Sequence, residues 1–139
     1  MKWTFLFITL LQAAFAGNQP VKVDLYIHGL EDLRGTVFVY VYDNARDFPV
    51  HPHKAIARLR FNATAAQPFS LELPPGDYAF AVYVDTNGNG RIDRNWLGIP
   101  SEPLALSGRP RFHFGPPHFD ECKVHVRGDV FRLDLHIRD

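Results

Sequence analysis

A single cysteine, Cys122, stands in a chain of 139 residues. One thiol cannot close an internal disulfide, so a fold built from this sequence has to be held by its core. Excess charge is also lacking: 15 acidic and 15 basic side chains cancel, and no run of like charge appears. That removes the electrostatic footprint of nucleic-acid binding and of a polybasic membrane patch. Sustained helical periodicity is absent after Gln19, as are internal repeats and any apolar run long enough to cross a bilayer. The length has room for one domain with a proper core.

What is present begins with Met1-Lys2-Trp3, an apolar run from Thr4 to Leu11, and Ala14-Phe15-Ala16 before Gly17. A basic start, a short apolar stretch and a small-x-small site together predict a secretory signal peptide over residues 1–16. The expected mature chain, 17–139, is then a single exported domain, periplasmic or secreted, with no membrane span after cleavage. Cys122 lies too far from the cleavage site to be a lipoprotein acceptor. The sequon Asn62-Ala63-Thr64 would matter only in a eukaryotic secretory pathway.

The rest consists of short β-branched and aromatic runs bounded by Gly and Pro, which predicts an all-β fold. Val21, Val23, Leu25 and Ile27 alternate with Lys22, Asp24, Tyr26 and His28, the period of a half-buried strand. Further strands are expected over Thr36 to Tyr42, Ala55 to Phe61, Phe69 to Leu73, Asp77 to Val84, Cys122 to Arg127 and Val130 to Arg138. Apolar residues on both faces mark the second and fifth as central. Pro74-Pro75-Gly76-Asp77 is a turn by its chemistry, and Gly128-Asp129 reads as a tight hairpin. Seven antiparallel strands of this kind favour a two-sheet sandwich, transthyretin/prealbumin-like or immunoglobulin-like. One long Pro/Gly-rich loop, 85–121, shows no strand or helix period yet carries Trp96, Leu97, Ile99, Leu104, Leu106, Phe112, Phe114 and Phe119. So long a segment in a small domain is usually functional or stabilised by something extra.

The start of that loop carries the chemistry. Asp85, Asn87, Asn89 and Asp93 occupy the first, third, fifth and ninth places of a string with Gly90 sixth, Arg91 seventh and Ile92 eighth. Alternating oxygen-bearing side chains around a sharp turn can converge on one centre, with the Arg91 carbonyl as a further oxygen, and this predicts a calcium-type metal site. Trp96 stands at the twelfth place, where a bidentate glutamate would complete an EF-hand. Extra ligands would have to come from Glu102, Asp120 or Glu121, and the low charge count implies the weak class of extracellular calcium modules, with Kd of roughly 10⁻⁴ to 10⁻³ M. The competing reading is metal-free: Asp, Asn and Gly are common turn formers, and Asp85 could accept backbone N–H groups in an Asx-turn.

Three blocks carry a family resemblance: Leu73-Pro74-Pro75-Gly76-Asp77-Tyr78-Ala79, then Asp85-x-Asn87-x-Asn89-Gly90-x-x-Asp93-x-Asn95, then Leu97-Gly98-Ile99-Pro100-x-Glu102-Pro103 with Ser107. In this order they resemble the signature of a bacterial exported family known as domain of unknown function 2141. The resemblance implies a prealbumin-like or carboxypeptidase-regulatory-like β-sandwich exported from a bacterial cell, and no particular activity. Leu104-Ala105-Leu106-Ser107 stands where members commonly carry an aromatic-Gly-Phe-Ser segment.

Other chemistry is thinner. Seven histidines, including His51-Pro52-His53 and His113 and His118 in the long loop, show no spacing of a known zinc or copper site, and His28, His125 and His136 alternate with inward residues. Ser101, Ser107 and Cys122 sit in no nucleophile motif, and the terminus Asp134-Leu135-His136-Ile137-Arg138-Asp139 lacks the Tyr-Arg-Gly-Ser ending of transthyretin-like hydrolases of hydroxyisourate. The expected function is thus a non-catalytic binding or structural module, with an envelope or extracellular protein or glycan as partner. The runner-up is an interaction domain ordered without metal, and a transthyretin-like hydrolase comes third.

Overall fold

A computed structural model of the chain describes residues 19–90, 102–111 and 115–138. Eight strands occur among them: β1 (Val21–His28), β2 (Thr36–Tyr42), β3 (Ala57–Asn62), β4 (Phe69–Leu73), β5 (Gly76–Asp85), β6 (Leu104–Leu106), β7 (Val124–Val126) and β8 (Val130–His136). A 3-10 turn, Pro52–Lys54, follows β2, and one helical turn, α1 (Phe119–Cys122), precedes β7. No helix of the described residues is long and apolar enough to cross a membrane. The expected signal peptide lies outside them.

The strands form two sheets, ordered β4-β1-β8 and β3-β2-β5-β6, with β7 paired to β5. The all-β two-sheet sandwich expected from the alternation is what is found. Valines at 21 and 23, Leu25 and Ile27 of β1 face Val37, Val39 and Val41 of β2 and Tyr78, Phe80, Val82 and Val84 of β5 across one core. Period-two alternation puts these residues inward and Lys22, Asp24 and His28 outward without further instruction. Strand β5 is buried from Tyr78 through Asp85, as a central strand covered on both faces must be.

Its second face lies under a smaller cluster on the outside of the larger sheet, where Ala79, Ala81 and Tyr83 meet Tyr42, Phe48 and Cys122. Phe48 packs edge-on against Tyr42 and Phe119, with ring centroids 5.4 and 6.1 Å away.

Several expectations need correction. The sandwich is not wholly antiparallel: β1 and β8 run parallel, from Lys22↔Val130 to His28↔His136. Gly128-Asp129 is not a hairpin, because β7 pairs with β5 in one sheet and β8 with β1 in the other; the two residues carry the chain between sheets. The loop 85–121 is not without structure, since β6 pairs with Ala81 to Tyr83 and α1 begins at Phe119. Cys122 closes that helical turn instead of opening a strand, and it packs in the outer cluster. The third strand starts at Ala57, two residues later than expected.

Both sides of the sandwich are drawn together. On one, Leu104 and Arg138 exchange two backbone hydrogen bonds, 3.1 and 2.7 Å, an isolated bridge that ties the larger sheet to the segment just after β8. On the other, Phe61 of β3 stacks on Phe69 of β4 with ring centroids 3.5 Å apart.

Candidate functional site

The end of β5 delivers Asp85 to the mouth of the sandwich. Thr36 of β2 lies opposite it, and a Cβ built on Gly35, at φ +120°, would stand 2.1 Å from the Asp85 carbonyl oxygen. Only glycine allows the β1–β2 connection to pass that close. The Asp85 side chain, 3% exposed, accepts the Gly88 N–H at 3.0 Å on Oδ1 and the Gly90 N–H at 2.6 Å on Oδ2. Asn87 Oδ1 accepts the Asn89 N–H at 3.1 Å. Gly88 and Gly90 adopt φ of +74° and +73°, the left-handed turns that let successive N–H groups point back at one carboxylate.

Glu102 lies just ahead of β6, the neighbour of β5. Strand β6 pairs Leu104 with Tyr83, and the Val84 N–H donates to the Pro103 carbonyl at 3.0 Å, so the pairing runs to Pro103, the residue after Glu102, as β5 reaches Asp85. Parity puts Asp85 and Glu102 on the outer face of the larger sheet, and Glu102 is 7% exposed. Two carboxylates, one at the end of β5 and one just ahead of β6, are thereby withdrawn from water. Burial of this kind is unfavourable for charge unless donors or a cation compensate it.

Asp120 and Glu121 go elsewhere. Ser107 Oγ donates to the Cys122 carbonyl at 2.6 Å and accepts the Phe80 N–H at 2.8 Å, which fixes α1 beside Phe80. Five residues of extended strand, roughly 16 Å, separate Phe80 from Asp85. Asp120 pairs with Lys123 at 3.3 Å, while Glu121 Oε2 accepts the Arg111 N–H at 3.2 Å. Arg91 and Asp93 lie outside the described residues. Among the described residues no group of three or more His, Cys, Asp or Glu side chains is arranged to hold a metal ion.

Ser107 and Cys122 are occupied as structure. The Ser107 hydroxyl bonds backbone as both donor and acceptor, and burial, helped by the nearby Glu121 charge, pushes the Cys122 thiol up to about 12. A thiol so protonated is a poor nucleophile. The close passage of Gly108 belongs to the same joint: a Cβ there would meet Glu121 O at 2.4 Å.

The histidines on the strands are exposed, as their alternation predicts, but register gives them partners. His28 lies opposite His136 in the parallel pair, with rings stacked at 4.7 Å, and its Nε2 sits 2.8 Å from Asp134 Oδ1. Arg132 reaches the same carboxylate at 3.0 and 3.2 Å and also lies over the Tyr26 ring. Hydrogen bonds from Arg132 and then from His28 hold the Asp134 carboxyl down to about 2. His125 bonds Asp77 and lowers its pKa in the same way. These cross-strand pairs were missed in the sequence because only the register of distant strands creates them. His51 and His53 are neighbours with ring centroids 5.7 Å apart.

Comparison with known proteins adds one finding to this geometry. No curated protein and no solved structure matches the chain. The family described as "Uncharacterized protein conserved in bacteria (DUF2141)" matches residues 25–133, from the middle of β1 to the middle of β8. That span takes in both sheets, the Asp85 loop and Glu102, and the chain belongs to this family.

Proposed function

We propose that the protein is a non-catalytic, exported binding module whose β5–β6 loop takes a calcium-type ion weakly, with an envelope or extracellular protein or glycan as partner. What supports this reading is a pair of withdrawn carboxylates, Asp85 at the end of β5 and Glu102 just ahead of β6, on the two sides of a loop rich in side-chain oxygens. A carboxylate has about four lone-pair positions, so the two N–H groups on Asp85 leave capacity for a cation. Asn87 and Asn89 supply neutral oxygens, and the ligands expected from the Arg91 carbonyl and Asp93 would complete an all-oxygen shell suited to a hard ion. Two or three carboxylates fit the weak class of site, filled only where calcium is abundant, which agrees with the export expected from residues 1–16.

A second reading has its own observation. The Asp85 bonds to Gly88 and Gly90 already close the loop, so the same sequence serves as a metal-free Asx structure that shapes an interaction surface.

Thermal melting in 10 mM calcium and in chelator separates the two. For Kd of roughly 10⁻⁴ to 10⁻³ M, calcium at that level adds about 1.4–2.7 kcal/mol and raises Tm by several degrees. Magnesium should do less, and Glu102→Gln should shrink the shift. Identical melting curves in calcium and chelator would select the metal-free reading.

A further inference from the structure

The far side of Gly35 carries a separate cavity of about 340 Å³, between the β1–β2 and β3–β4 connections, lined by Leu30, Glu31, Arg34, Ala63, Thr64 and Gln67. Its volume is near the lower end of the range for small-molecule sites, roughly 300–1,000 Å³.

The walls are fixed before any ligand arrives. The Gln67 amide pairs with the backbone of Ile27 in both directions, accepting its N–H at 2.6 Å and donating to its carbonyl at 2.9 Å. Asn62 Oδ1 accepts both the Thr64 N–H and the Thr64 hydroxyl, at 2.9 and 2.8 Å. The Ala63 N–H donates to Gly35 O at 3.0 Å and joins the two connections, while the Leu33 N–H donates to Leu30 O at 3.0 Å. A preformed wall lowers the ordering cost of binding.

Chemically the lining is amphoteric. Leu30 and Ala63, both buried, form an apolar base, and the exposed side chains of Glu31 and Arg34 bring one charge of each sign to the rim. No ion pair joins those two or links either to another described residue. Arg34 commits one N–H to Leu33 O at 3.1 Å and keeps the rest of its planar fork for a carboxylate. The Thr64 hydroxyl gives its proton to Asn62, so its oxygen is left as an acceptor on a residue that lines the same cavity as Glu31.

We propose that this cavity binds a small zwitterion, a free α-amino acid or short peptide, whose carboxylate is taken by Arg34 and whose ammonium is taken by Glu31 with Thr64. The proposal is independent of any ion in the Asp85 loop, and its ligand needs an aliphatic body for Leu30 and Ala63.

Amide NMR titration of the folded protein tests it with L-leucine and L-alanyl-L-alanine, each against leucine amide and N-acetyl-leucine. Saturable shifts at Leu30, Arg34, Ala63 and Thr64 are expected with at least one zwitterion, and the tighter of the two identifies an amino acid or a peptide as the source. Leucine amide and N-acetyl-leucine, each short of one charge, should bind about tenfold more weakly than leucine, the loss of one charge-assisted contact. Arg34→Gln should erase the preference for leucine over its amide, and Glu31→Gln the preference over N-acetyl-leucine. Both side chains are exposed, so neither substitution threatens the fold. Absence of saturable shifts with both zwitterions, or equal binding of leucine and leucine amide to the unaltered protein, overturns the proposal.

Discussion

Single side chains decide two properties of this protein. Ser107 is 1% exposed and supplies both an acceptor for Phe80 and a donor to Cys122, so Ser107→Ala leaves a buried N–H without its partner. Its expected cost is about 1–3 kcal/mol, read as a lower urea midpoint at unchanged m-value. Asp134 works through pH. Its folded pKa of about 2 lies below the ordinary carboxylate range, so its contribution is complete above about pH 4 and is lost as pH falls toward 2. Asp134→Asn should lower Tm at neutral pH, and the gap from the unaltered protein should close between pH 4 and 2. A gap that stays constant across that window would show that Arg132 and His28 contribute nothing through this carboxylate.

At the scale of elements, the β3–β4 connection is docked on β1 by one amide. Gln67→Ala removes both bonds to Ile27 and should cost about 1–2 kcal/mol, with faster hydrogen exchange at the Ile27 amide as the local readout. Elements are also where reading the sequence succeeded and failed for identifiable reasons. Long strands announce themselves: eight alternating residues in β1 and the two-faced apolar run of β5 are strong periodic signals. Leu104–Leu106 is three residues long, too short to show a period, and it becomes a strand only because β5 offers an open edge. Gly128-Asp129 carries a true turn signal, but turn chemistry says nothing about which strands the flanking residues join. In the candidate site, the turn chemistry from Asp85 to Gly90 was legible, because Asp85 accepts the Gly88 and Gly90 N–H groups as an Asx residue does. The remoteness of Asp120 and Glu121 was not, because the Ser107 joint that anchors α1 beside Phe80 is a tertiary contact.

The whole molecule has two apolar layers, and the outer one is thin. Phe48, 5% exposed, bridges Tyr42 and Phe119 above the second face of β5. Phe48→Ala should cost about 3–5 kcal/mol and open a path to Cys122, so alkylation of that thiol, slow in the native protein, should accelerate. Unchanged reactivity would mean that the sheet alone, without the aromatic cover, protects the cysteine. The parallel pairing of β1 with β8 has a consequence for how the chain is made. The earliest strand waits for the latest: until Val130 to His136 have emerged, one flank of β1 has no hydrogen-bonding neighbour and the seam between Leu104 and Arg138 cannot close. Contacts between residues so far apart in sequence are slow to form, so a nascent or partly threaded chain stays open and extensible until β8 is available to pair.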